Sequence, residues 1–416
     1  MAVTDKTSND YEKFFAPEFP SMGTGPIPAE AYTSPEYFEK ERENIFKKTW
    51  MMVGREQEIP EPGDYFQKPI SILNTNLIVV RGKDGIVRAF HNSCRHRGNQ
   101  VCYEQHGNTK FFSCGFHGWV YDNMGKLVHV TDRDRFFDLD EATLALAPIA
   151  TETWNGFIFV NAEPEPEQNL KDYLGGLGEQ LDGYPFDKMV QIGKWSAQVK
   201  CNWKVFIDAF HELYHVGWVH RNWLGPAFVE APREAARISS VRIYGPHHSA
   251  TIPRNPNYQP TEIEQLAYKY SGGGMVRNRE ARGLPEGPPP GINPDGDANH
   301  AFEVNVIFPI NFIDMAPDWY FTYEFWPVAV DETHWVCKMY SPKPQTIGER
   351  LAQEVLVVQF RDGLLEDLST EESTQQGLKS GAVPFLQFSD QEITCRHLYE
   401  AADQMVRGKK ASEIKY

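Results

Sequence analysis

The chain has 416 residues, enough for two or three domains with cores of their own. Its 41 Lys+Arg against 57 Asp+Glu leave a formal net charge of −16, and with no basic block this argues against nucleic acid as a partner. Six cysteines are too few for a disulfide scaffold, no apolar run approaches the ~20 residues that span a bilayer, and the first thirty residues hold Asp5, Lys6, Asp10, Glu12, Lys13, Glu18 and Glu30 with no apolar signal stretch, so we expect a cytoplasmic protein with no membrane contact.

In chain order, residues 1–35 are polar and turn-rich and read as an arm. Ser34 to Lys48 reads as a helix, with Ser34 as cap, Pro35 in the first turn and Tyr37, Phe38, Ile45 and Phe46 along one side. From Trp50 to Ala162, short β-runs alternate with turns: Leu77–Arg81, Val87–His91, Phe111–Cys114, Trp119–Tyr121 and Phe157–Asn161. They predict a small antiparallel domain that ends at Pro164 and Pro166. Leu170–Leu181 reads as a helix, Val199–Lys204 as a strand and Phe206–Tyr214 as a helix. Ser271 to Asn299, with three glycines at 272–274 and three prolines at 288–290, reads as a long mobile loop, either a lid or disordered. Phe302–Phe308, Tyr320–Trp326 and Thr333–Tyr340 read as strands. Gln345–Phe388 is mostly helical, with apolar Leu351, Val355, Val358, Leu364, Leu365 and Leu368, and Thr394–Arg407 forms a last helix. The class is α+β: residues 1–47 an arm and helix packing on the second domain, 48–165 a small antiparallel-β domain, and 166–416 a larger domain.

Two short arms carry metal-ligand chemistry. Cys94-Arg95-His96 is followed, seventeen residues later, by Cys114-Gly115-Phe116-His117. Two Cys and two His suit a tetrahedral structural zinc, or a [2Fe–2S] cluster with thiolates on one iron and imidazoles on the other. A zinc finger places both Cys in one arm and both His in the other. Here each arm has one of each, and so gives one ligand to each iron of a cluster. Cys102, His91, His106 and His129 read as ordinary buried or polar residues. In the second domain His215 and His220 stand five apart, a spacing that works where a helix ends near Gly217 and the chain turns back. Two imidazoles and a carboxylate on one face of Fe(II) leave open positions for oxygen and substrate.

Cys94-Arg95-His96-Arg97-Gly98, Gly107-Asn108 and Cys114-Gly115-Phe116-His117-Gly118-Trp119, extended by Tyr121, Asp122 and Gly125, resemble the Rieske domain of bacterial Rieske non-haem iron oxygenases. Asn202-Trp203-Lys204 and Tyr214-His215-Val216-Gly217-Trp218-Val219-His220 are similar to the large (α) subunits of naphthalene- and biphenyl-type dioxygenases. The resemblance covers about residues 35–390. The chain departs from it in carrying Glu212 where those dioxygenases have Asp, in Ala209 where many members have Asn, and in one residue fewer after Lys204. The Glu form occurs in relatives that hydroxylate or demethylate small substrates.

The resemblance implies a Rieske domain beside a catalytic domain of helix-grip, START-like type, whose twisted antiparallel sheet wraps a long helix. It implies that Cys94 and Cys114 hold the inner iron of a [2Fe–2S] cluster and His96 and His117 the outer one. A mononuclear Fe(II) takes His215, His220 and a late carboxylate. Of Asp362, Glu366, Asp367, Glu371 and Glu372, the family's Glu-Asp…Glu-x-x-Gln-x-Gly-Leu pattern selects Asp367. Glu212 is the implied bridge between His215 and the partner's His117 in a head-to-tail ring of three chains, with or without a small β subunit. The chain carries no nucleotide fingerprint, since the glycines at 272–274 follow no strand and open no helix, so electrons from NAD(P)H come through a separate reductase or ferredoxin. The implied function is the terminal oxygenase component that uses O2 to hydroxylate or dihydroxylate a hydrophobic aromatic or polycyclic ring. The alternatives are a monooxygenase or demethylase on a smaller or alicyclic substrate and, from another class, a Rieske-type electron carrier. Phe206, Phe210, His211, Asn305, Ile307 and Phe312 are the expected pocket wall.

Overall fold

Gly, Pro and Asn punctuation cuts the middle of the chain into short strands. The computed structural model describes residues 14–222, 224–271 and 280–416. A two-residue strand β1 (Ile27–Pro28) and helices α1 (Glu30–Thr33) and α2 (Pro35–Glu41) come first. The single helix expected from Ser34 to Lys48 is broken. Ser34 ends α1, its hydroxyl accepts the Tyr37 N–H (3.2 Å) to open α2, and Arg42–Phe46 widens into a π-turn. The chain folds as two compact units: Arg42–Tyr173, and Leu174–Tyr416 together with the described N-terminal residues through Glu41.

The Arg42–Tyr173 unit holds β2 (Met51–Arg55), β3 (Asp64–Ile70), β4 (Thr75–Arg81), β5 (Val87–His91), β6 (His106–Asn108), β7 (Phe111–Ser113), β8 (Val120–Asp122), β9 (Leu127–His129), β10 (Pro148–Trp154) and β11 (Phe157–Asn161). Seven of these pair antiparallel in the order β2-β11-β10-β5-β4-β3-β6, and β7-β8-β9 form a second small sheet. Between them lies a core of Ile78, Val80, Phe90, Phe112, Trp119, Tyr121 and Leu127, into which Cys94 and Cys114 are buried.

The other unit continues with α3 (Leu170–Leu181), β12 (Met189–Val199), α4 (Trp203–Asp208), α5 (Val216–Val219), α6 (Gly225–Phe228), β13 (Ser240–Tyr244), β14 (His247–Pro253), α7 (Glu262–Ser271), β15 (His300–Ile307), β16 (Asn311–Ala316), β17 (Trp319–Ala329), β18 (Glu332–Pro342), α8 (Ile347–Lys379), β19 (Phe385–Leu386) and α9 (Ile393–Val406). Its antiparallel sheet runs β12-β18-β17-β16-β15-β14-β13, and β1 pairs with β19. Along β17 the alternation sends Trp319 and Phe321 toward Phe360 of α8 (ring centroids 5.1 and 4.5 Å apart), while Tyr320 packs on Tyr184, Phe186 and Tyr340. The α+β class with an antiparallel sheet against a long helix is as expected. Among the described residues no helix is long and apolar enough to cross a membrane.

Several expected elements end elsewhere. The strand read as Val199–Lys204 stops at Val199, because the Asn202 side chain accepts the Lys204 N–H (3.0 Å) and caps α4. The helix read as Phe206–Tyr214 ends at Asp208. Of the supposed mobile loop, 272–279 lies outside the described residues. Beyond it the segment is pinned at points: Leu284 and Ile292 are buried, and the Arg282 guanidinium donates to both oxygens of buried Glu349 (2.8 Å each). In α8, Val358 and Leu365 are exposed, and the buried stripe is Gly363, Leu364, Asp367, Glu371, Gln375 and Leu378. These recur at three- and four-residue steps, so one helix face is held by polar residues that apolar periodicity overlooks. Lys204 and Glu41, both fully buried, form an ion pair joined by the Trp203 Nε1–H, which donates to Glu41 (3.1 Å).

Candidate metal centres and their cavity

In the Arg42–Tyr173 unit two tight turns present the four Cys/His residues. Cys94 C=O accepts the Gly98 N–H (2.9 Å) and Cys114 C=O accepts the Gly118 N–H (3.0 Å). Both glycines have positive φ (79° and 70°), which closes each turn without a Cβ clash. The His96 and His117 rings lie 4.6 Å apart at 71°, and His96 stacks on Trp119 at 4.9 Å. Tyr121 O–H accepts the Arg95 N–H (2.9 Å) and touches the Cys94 sulfur (3.3 Å). Burial pushes the Cys114 thiol up, but the N–H of Phe116, the Asn99 amide and the N–H of His117 outweigh it and hold the thiol below its ordinary range. His96 Nδ1 is buried without a hydrogen-bond partner. Stabilised thiolate and orphaned imidazole both fit metal ligands. Donors around one tetrahedral ion sit roughly 3.5–4 Å apart. Among the described residues this quartet is not one of the groups whose donor atoms converge within 4.8 Å, which suits a two-iron cluster better than zinc.

In the other unit, His215 and His220 flank the single turn α5, with Gly217 inside that turn and not at a helix end as expected. Their rings are 5.2 Å apart. Asp367, on the buried stripe of α8, brings Oδ1 within 3.4 Å of His215 Nε2 and 2.9 Å of His220 Nε2. One donor atom from each of the three lies within 4.8 Å of the others. The far nitrogens are also held: His215 Nδ1 by Glu212 Oε1, and His220 Nδ1 by Glu366 Oε2 at 2.7 Å. Glu212 Oε2 accepts the N–H groups of Tyr214 and His215 and so fixes the entry to α5. Burial works against charge on His215, yet the Glu212 charge and the bonds from Asp367 and Glu212 carry it up to about 10. His220 is raised in the same way against burial, and Asp367 is held low against burial by both imidazoles. The arrangement calls for positive charge, and the paired carboxylate–histidine contacts leave Nε2, Nε2 and Oδ1 facing one point. The site fits a divalent iron.

Beside this point lies a cavity of about 380 Å³, bounded by His215, His220 and Asp367 and by Phe210, Phe228, Phe302, Trp319, Tyr323 and Phe360. Phe210 and His211 are on its wall as expected. His211 is neutral, pushed down to about 3 by burial and then by His397. Phe206, Asn305, Ile307 and Phe312 do not line it. Phe206 packs on Phe325 (5.2 Å) and Phe312 sits behind His211 (5.7 Å). Asn305 and Ile307 fall on the opposite face of β15 from the lining residues Phe302 and Val304, and Asn305 meets Gln180 there (3.4 Å).

Residues 49–147 match the model of the Rieske [2Fe-2S] domain, and residues 186–408 match that of the ring hydroxylating alpha subunit (catalytic domain). The chain belongs to the ring-hydroxylating alpha subunit family. It is 32% identical over 196 residues to the carnitine monooxygenase oxygenase subunit of Escherichia coli (strain K12), covering 47% of this chain and 52% of that one. It is 34% identical over 202 residues to benzene 1,2-dioxygenase subunit alpha of Pseudomonas putida, covering 46% and 44%. The chain thus spans about half the length of the curated relatives it matches. Its fold matches a quaternary ammonium Rieske monooxygenase in the apo form (TM-score 0.71, 20% identity, 93% and 97% covered) and naphthalene 1,2-dioxygenase from Rhodococcus sp. bound to indole (TM-score 0.71, 23%, 92% and 94%).

This ring-hydroxylating alpha subunit therefore carries a Rieske [2Fe–2S] domain and a non-haem iron catalytic domain. In the sequence Glu366 stands only as a candidate ligand passed over for Asp367 and not as the partner of His220 Nδ1; its place next to Asp367 is the available signal. Trp319, Tyr323, Phe360 and Asp314 of the cavity carried no motif.

Proposed function

We propose that the chain is the terminal oxygenase component of a Rieske oxygenase acting on a hydrophobic ring compound. The observation that carries this reading is the convergence of His215 Nε2, His220 Nε2 and Asp367 Oδ1 beside an aromatic-walled cavity, in a chain that also has the Cys94/His96/Cys114/His117 arms. The iron and cluster, when bound, supply O2 activation and one-electron relay. The chain's own groups do the rest. Asp367 and the two Nε2 atoms form the iron's protein face. Glu212 and Glu366 fix the tautomer and tilt of the imidazoles. The rings of Phe210, Phe302, Trp319 and Phe360 exclude water and seat an apolar substrate. We assign Cys94 and Cys114 to one iron of the cluster and His96 and His117 to the other. Phe210 and His211 are substrate contacts.

In the same reading the chain assembles as a homotrimer, or as α3β3 with a small subunit, in the cytoplasm, and a reductase or ferredoxin delivers electrons from NAD(P)H. Glu212 then links His215 to His117 of the partner subunit. A monooxygenase or demethylase is the second reading. It is favoured by Glu212 and by relatives such as the carnitine monooxygenase subunit and the glycine betaine monooxygenase oxygenase subunit of Chromohalobacter salexigens.

The test is turnover of a ring-substrate panel under labelled O2 with an added reductase, read by product mass. Two labelled oxygens support dihydroxylation, and one, or loss of a methyl, supports the second reading. No label in any product, with two irons per chain and not three, would leave only an electron carrier.

A further inference from the structure

Asp314 sits on β16, inside the cavity wall, and is 7% exposed. Its Oδ1 has no hydrogen-bond partner in the protein. Tyr323, which also lines the cavity, hydrogen-bonds the carboxyl through its hydroxyl, and among the described residues no cation is paired with it. Glu264, another acid on the wall, is engaged: it accepts Tyr258 O–H (2.7 Å) and the Gln359 amide (2.8 Å). Burial pushes Asp314 up to about 8 against the pull of Tyr323, so at neutral pH it holds its proton. A protonated carboxyl that already receives one donor has an O–H left over. Within the protein the Asp314 Oδ1 is left without a partner, and a buried polar group in that state is costly. Asp314 lines the same cavity as His215, His220 and Asp367.

We propose that Asp314 is the polar recognition point of the cavity, donating a hydrogen bond to a neutral oxygen acceptor, a ketone or hydroxyl, on an otherwise hydrophobic ring substrate. This rests on the ring-substrate reading above and narrows it to oxygen-bearing rings. Tyr323 positions the carboxyl, and the Phe302, Trp319 and Phe360 rings take the hydrocarbon part.

The test uses oxidised protein loaded with both metal centres and without reductant, so that nothing turns over. Indane and 1-indanone share a skeleton and differ by one carbonyl. Their binding is read by calorimetry and by the fluorescence of tryptophan, which Trp319 contributes from the wall. We expect 1-indanone to bind more tightly than indane. Asp314→Leu should weaken 1-indanone about tenfold or more and leave indane within about threefold. Asp314→Asn keeps a donor and should retain most of the affinity. The infrared carbonyl stretch of bound, carbon-13-labelled 1-indanone should lie below its position in apolar solvent. That measurement uses the unaltered protein and decides alone if the leucine variant does not fold. Equal weakening of both ligands by Asp314→Leu, or an unshifted carbonyl, overturns the proposal. So does phenyltrimethylammonium binding more tightly than 1-indanone and being lost in Asp314→Asn, which would mark a cation site. If neither bicycle binds the unaltered protein, the ring-substrate reading itself has failed, and the proposal with it.

Discussion

Glu366 meets Nδ1 of His220 and so settles how that imidazole presents itself. A neutral imidazole has one N–H, and Glu366 draws it to Nδ1, leaving the Nε2 lone pair toward Asp367. Glu366→Gln should therefore cost about 10- to 100-fold in Fe(II) affinity while the cluster absorption stays as it was. Asp367→Ala should remove the mononuclear iron outright, and iron counting on the same samples separates the two. Glu212→Gln should likewise weaken Fe(II) binding through His215, and in samples with the iron restored it should still slow reoxidation of the reduced cluster by O2 plus substrate; normal reoxidation there would leave Glu212 a support for His215 alone. The imidazoles also set a pH dependence. His215 rises from 6.5 to about 10, so in iron-stripped protein its stabilising effect is complete below about pH 6.5 and fades as pH climbs through about 10. Fe(II) must displace that proton. Iron uptake near pH 8 should release protons into a weakly buffered indicator solution, and affinity should increase from pH 7 to 9. Uptake without proton release would contradict the raised imidazole.

At the level of elements, α5 is a single turn whose two ends carry His215 and His220, and it has no slack. A Cβ on Gly217 would collide with the Glu234 carbonyl oxygen. Gly217→Ala should displace the turn and lose mononuclear iron while the cluster remains, measured by iron counts and visible absorption. The Lys204–Glu41 pair ties α4 to α2 with neither group exposed. Glu41→Ala leaves a buried ammonium and should cost about 3–5 kcal/mol, read from the urea midpoint, and pairing it with Lys204→Met should recover much of that loss. Cys94, His96, Cys114 and His117 stood out because metal chemistry demands particular side chains at short spacing, whereas His215 and His220, five apart, drew their reading from the family resemblance beside them. The cavity wall was not legible. Asn305 and Ile307 are one residue out of step with Phe302 and Val304, and nothing local in a strand buried on both faces tells which parity meets the cavity. Asp367 came from the family's late-helix pattern, and the polar stripe of Glu371 and Gln375 that carries it looks like solvated helix until it is folded.

For the whole molecule, charge and composition limited the partners and pointed to no substrate, while the order of the two ligand arms anticipated two separate metal-bearing units. The described residues through Glu41 belong to the unit that resumes at Leu174, which makes Arg42–Tyr173 an insertion in the chain. An inserted module hangs on two leashes. One cut, made at a protease site engineered over Pro164–Pro166, severs a single leash. The fragment upstream of the cut stays moored through Glu41 to Trp203 and Lys204 and through Ile27 paired with Leu386. Nicked protein should therefore migrate as one body in a native gel and as two in detergent, and escape of the cluster-bearing fragment under native conditions would mean that these moorings are weaker than their burial implies.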